Sequence, residues 1–102
     1  MIRHCVFLRF KTATQAAEKQ AIYDGIAALK EIIPGIVDVK CGPNVSPEGL
    51  NGGFLDGFIV TFEDAMVRDY YLKHPDHVAV GDRIVQATDG GLSGVLVFDM
   101  EV

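Results

Sequence analysis

Apolar and polar positions alternate from the start of the chain. Between Ile2 and Lys11, His4, Val6, Leu8 and Phe10 share one face while Arg3, Cys5, Phe7 and Arg9 share the other, a period of two that predicts a β-strand. The first face is apolar except for His4, so that imidazole points into the same layer as the core. Thr12 followed by Gln15 resembles a capping box, and Ile22, Ile26, Leu29 and Ile33 then recur at helical spacing up to Pro34-Gly35. A helix is predicted from about Ala13 to Ile33. Gly25 inside it costs roughly 1 kcal/mol against alanine and marks close packing against a neighbour. Val37, Val39 and Cys41 alternate with Asp38 and Lys40 in a second strand that ends at Gly42-Pro43. The polar connection to Gly53 is rich in turn formers and long enough to be an arm or lid, without the glycine pattern that cradles phosphate before a helix.

The next segment, Phe54 to Phe62, sets Phe54, Asp56, Phe58, Val60 and Phe62 against Leu55, Gly57, Ile59 and Thr61, a third strand apolar on both faces. Asp56 falls on the aromatic face, where a carboxylate is costly unless it meets a donor or lies at the strand end; a solvated strand end is expected. Glu63 and Asp64 place negative charge at the start of a helix carrying Val67, Tyr71 and His74 on one stripe up to Pro75. Val80, Ile84 and Ala87 continue at helical spacing to Asp89-Gly90-Gly91, and Leu92 to Met100 returns to alternation. Strand, helix, strand, strand, helix, strand predicts one α+β domain over residues 1–102, with a ferredoxin-like βαββαβ order and a four-stranded antiparallel sheet. Both helices lie on one sheet face, yet several strands are apolar on both. Homodimerisation by sheet-on-sheet packing is therefore expected.

Composition narrows the partners. The chain has 102 residues, 49% hydrophobic, with a formal net charge of −5 and isolated rather than clustered Lys and Arg. Nucleic acid and anionic membranes both require clustered cations and are excluded as partners. The start of the sequence lacks the pattern of a signal peptide and no apolar run approaches membrane-spanning length, so a cytoplasmic protein is expected. Cys5 and Cys41 lack ligand spacing and are read as reduced, small core side chains. Asn44-Val45-Ser46 matches a glycosylation acceptor by coincidence, since Pro47 follows and no export is expected.

The chemistry concentrates in Tyr71-Leu72-Lys73-His74-Pro75-Asp76-His77. Tyr71 and His74 are three apart on one helical face, and Pro75 suits the first position of a following helix, which turns His77 back toward them. Imidazole titrates near neutrality and a phenol can donate or accept a hydrogen bond, so the set suits general acid–base work on a small carbonyl compound. The plain alternative is a helix corner held by buried polar rings. His74 and His77 have H-x-x-H spacing around Asp76, but Pro75 breaks the helix and no third ligand is in place. No metal is expected, and no cofactor motif is present.

Several segments resemble the stress-responsive A/B barrel (Dabb) family of dimeric α+β barrels: Arg3-His4-Cys5-Val6-Phe7-Leu8-Arg9-Phe10-Lys11, Ile33-Pro34-Gly35, Gly42-Pro43-Asn44-Val45-Ser46, Val60-Thr61-Phe62-Glu63 and, most specifically, Tyr71 through Val78. The family includes a plant cyclase that folds a linear polyketide by intramolecular aldol condensation without a cofactor. The resemblance implies that His77 and Tyr71 match its catalytic histidine and tyrosine, and that His4 matches a pocket histidine. Asp56 stands where that cyclase has another pocket histidine, and Ile22, Tyr23 and Ile26 partly replace its aromatic lining. His4, Tyr23, Asp56 and His74 are thus candidate substrate-binding residues around a pocket between sheet and helices. Two functions fit the resemblance: a cofactor-independent cyclase or lyase acting on a carbonyl, polyketide-like substrate, and a non-catalytic dimeric stress-response protein that binds a small hydrophobic ligand.

Overall fold

The computed structural model describes residues 1–102. Its elements are β1 (Ile2–Leu8), α1 (Ala16–Ile32), β2 (Ile36–Pro43), β3 (Asp56–Phe62), α2 (Ala65–Lys73), α3 (Pro75–Ala87), a short 3-10 turn (Gly91–Gly94) and β4 (Val95–Glu101). The strands form one four-stranded sheet in the order β2-β3-β1-β4, every neighbouring pair antiparallel. This is the ferredoxin-like α+β fold.

The alternation in β1 becomes burial directly: Ile2, His4, Val6 and Leu8 are buried while Arg3 and Phe7 are exposed. Register carries the same face across the sheet, pairing Ile2 with Phe62, His4 with Val60 and Val6 with Phe58. Onto it pack Ile22, Ile26 and Leu29 of α1, Ile33, and Val80, Ile84 and Ala87 of α3, closing one core with Tyr71 inside it. Each buried Val, Leu, Ile or Phe side chain contributes about 1.5–3 kcal/mol. Gly25 allows α1 to approach α3: a Cβ there would lie 3.1 Å from Val80 Cγ2. Gly35, at φ +96°, turns the chain from α1 into β2 in a conformation that L side chains disfavour.

Four boundaries depart from the periodicity. The first strand leaves the sheet after Leu8, and residues 9–11 bind the end of α3 and the residues after it instead: Asp89 N–H donates to Arg9 O at 2.8 Å and Lys11 N–H to Ala87 O at 2.9 Å. The Thr12–Gln15 capping box does not form. Gln15 is the N-cap without a side-chain bond, because Thr14 donates its hydroxyl to Ala87 O at 3.2 Å and the helix starts at Ala16. A bulge between Ile36 and Asp38 shifts β2, so Ile36 enters the core and Val37 faces out. Phe54 lies before β3, beneath the Arg9 guanidinium. Asp56 does begin its strand, but it is paired rather than solvated, with Lys19 Nζ at 3.3 Å.

On the sheet face away from the helices, Phe7, Ile59, Leu96, Phe98 and Met100 remain exposed, the last three each about half (48%, 53% and 50%). The register places these outer residues in adjoining rows, one running Ile59, Cys5, Phe98 across the sheet and the next setting Phe7 opposite Leu96. No helix is long and apolar enough to cross a membrane.

Candidate active site

His74 joins α2 to α3. It ends the first helix, and its Nδ1 accepts the Asp76 N–H at 3.1 Å to cap the second, where Pro75 takes the first turn. At its other end α2 is capped by Asp64, which accepts the Val67 N–H at 3.0 Å. These two caps fix the helix corner. Tyr71 and His77 then meet across the break with ring centroids 4.2 Å apart and planes inclined by 40°.

His77 donates its Nδ1 proton to Leu72 O at 3.2 Å, since a carbonyl can only accept. That bond sets the tautomer, so in the neutral ring Nε2 carries the lone pair. Burial pushes the imidazole below its ordinary value; the Leu72 carbonyl opposes this, while His4 and His74 reinforce it. His77 is therefore neutral at pH 7, the state a general base requires.

His4 is 4% exposed, edge-on to Tyr71 at 5.8 Å between centroids. Its directly opposed residue on β4 is Asp99, whose Oδ1 lies 2.6 Å from His4 Nδ1. Arg68 Nη1 donates to the other carboxylate oxygen at 3.0 Å, and its Nε donates to Asp69 at 3.1 Å. The imidazole is thereby held in one orientation by a chain of charged groups reaching the surface. Tyr71 is fully buried against Phe62, His4 and His77. Its hydroxyl has no protein hydrogen-bond partner, and burial pushes the phenol well above its usual range, so it stays protonated. Tyr71 and His77 thus pack ring on ring without a direct hydrogen bond, since His77 Nδ1 turns to Leu72 O.

Between β1, β4 and the two later helices lies a cavity of about 420 Å³. His4 and His77 open onto it, Arg68, Asp69 and Asp99 form its polar part, and Val6, Ile84, Val95 and Val97 supply apolar wall. Tyr23, Asp56 and His74 do not line it, and neither does Tyr71, which packs behind the His4 and His77 rings. His74 is turned to the α3 amides. Asp56 faces Leu8 at the far end of β1, on the side away from β4, where Lys19 holds it. Tyr23 belongs with Asp56: burial, then the Asp56 charge, push its phenol upward. No group of three His, Cys, Asp or Glu side chains converges as a metal site. Periodicity missed Asp99 and Arg68. The signal for Asp99 was present, an acid at the parity of Val95 and Val97 in the last strand, matching the lone His4 on the apolar face of the first.

The model of the stress-responsive A/B barrel domain matches residues 2–102. The chain belongs to this family. Over 81 residues it is 32% identical to olivetolic acid cyclase of Cannabis sativa, spanning 79% of this chain and 80% of the cyclase. This Dabb chain also resembles a dimeric ferredoxin-like protein of unknown function from Jannaschia sp. CCS1, with a TM-score of 0.85 and 30% identity over 99% of this chain and 98% of that one. Hydroxynitrile lyase from Passiflora edulis shares the fold, with a TM-score of 0.86 at 20% identity, covering 99% of this chain and 92% of the lyase.

Proposed function

We propose that this Dabb protein is a homodimeric, cofactor-independent catalyst of proton transfer on a small carbonyl compound, of cyclase or lyase type. One observation carries the reading: a desolvated His77, neutral and locked with its lone pair on Nε2, opens onto the same cavity as His4. His77 would remove a proton next to the carbonyl, and Tyr71, protonated at working pH and packed against the His4 and His77 rings behind the cavity wall, would donate to the developing enolate oxygen once substrate draws its hydroxyl into the cavity. His4, oriented by Asp99, would carry the proton to its next position. The relatedness to olivetolic acid cyclase favours a polyketide-like substrate.

The half-exposed apolar face of Leu96, Phe98 and Met100 supports a dimer formed sheet on sheet, as does the dimeric relative. A cytoplasmic location agrees with Cys5 and Cys41 both being free thiols.

A second reading, ligand binding without turnover, is favoured by the Tyr71 hydroxyl, which contacts no proton acceptor. Turnover of a panel of linear β-polyketo substrates by wild type and His77→Ala separates the two. A general base contributes about 10²–10⁴-fold, so His77→Ala should lose that much while circular dichroism and sedimentation stay unchanged. Equal turnover by both proteins removes the catalytic reading.

A further inference from the structure

Two glycines lie inside helices, and they differ in what they do. Gly25 in α1 makes room for Val80, whereas a Cβ on Gly81 in α3 would meet nothing within 4 Å. Gly81 has no positive φ to explain it, and glycine is among the poorest helix formers. It does, however, line the cavity of His4 and His77, one turn beyond His77 on the same helical face. Val85 follows at the next turn, about 12 Å along the axis from His77. The sheet runs in parallel: the His4–Asp99 row is followed by Val6–Val97 and then by Val95. The polar groups are thus at one end and the aliphatic wall at the other, with Gly81 between them.

We propose that Gly81 is a specificity-determining position, whose missing side chain leaves the passage through which the apolar tail of a carbonyl ligand extends from the His4–His77 end toward Val85 and Val95. This rests on the reading of the cavity as a carbonyl site. A Cβ at residue 81 enters that passage without meeting a neighbour, and a longer side chain there would shorten the longest ligand accepted while leaving the histidine end open.

The test titrates wild type, Gly81→Ala and Gly81→Leu with butanone and with a nine-carbon straight-chain methyl ketone, following the His77 ring resonances and the unliganded melting temperature. Both variants should fold, with Gly81→Ala melting above wild type because alanine favours the helix. Gly81→Leu should bind the long ketone roughly tenfold or more weakly while keeping butanone, and Gly81→Ala should fall between. Equal binding of the long ketone by wild type and both variants overturns the proposal while leaving the carbonyl site standing. If neither ketone perturbs His77 in wild type, the carbonyl reading fails, and this assignment with it.

Discussion

Replacing Tyr71 by Phe removes one oxygen from the centre of the core and leaves the ring in place. The ring contacts are retained, with centroids 4.9 Å from Phe62, 5.8 Å from His4 and 4.2 Å from His77. The hydroxyl is buried and has no protein partner. Burying an unpaired hydroxyl costs about 1–3 kcal/mol, so its loss should stabilise the fold, by about 1 kcal/mol if the site relaxes in part. For a domain of this size that corresponds to a melting temperature about 4–8 °C higher. Urea unfolding of both proteins at one fixed protomer concentration is the right measurement, since dissociation of a dimer makes apparent stability depend on concentration. If the phenol serves an enolate, turnover should fall in the same variant, so stability and activity move in opposite directions. A loss of about 1 kcal/mol or more in Tyr71→Phe would show that the hydroxyl has a partner, and the account of Tyr71 as an unpaired buried donor would be wrong.

Two further outcomes follow from the site and the sheet. The folded-state pKa of His77 lies below its ordinary 6.5, so the unfolded chain binds the extra proton first: the stability advantage of wild type over His77→Gln is whole above pH 6.5 and shrinks as pH falls from there through the folded pKa. Urea midpoints of the two proteins between pH 7.5 and about 5 measure it, and an advantage that grows on acidification would mean a raised pKa instead. On the outer face, Phe98→Asp puts a charge among half-exposed apolar side chains; sedimentation should then find monomer at micromolar concentration where wild type is dimeric, and an unchanged dimer would place the interface elsewhere.

Much of the fold is local and so can be read along the chain. Period-two alternation in residues 2–8 dictates which side chains β1 buries, the stripe Ile22-Ile26-Leu29 dictates the inner face of α1, and Pro75 divides the second helical segment where the structure divides it. The burial of His4 follows from its parity alone. Tertiary structure decided what such residues meet. Asp99 reaches His4 through the β1–β4 register, a pairing of residues 95 positions apart that no local pattern encodes. The start of α1, the exit of residues 9–11 from the sheet and the pairing of Asp56 with Lys19 each depend on a distant partner outcompeting a local preference. The assignments of His74 and His77 separated for the same reason. Both are imidazoles in one short motif, but the first found a helix amide, whereas the second bonds a carbonyl and lines a cavity. Periodicity determines the face a side chain presents, whereas its hydrogen-bond partner and its access to a cavity are set only when the elements pack.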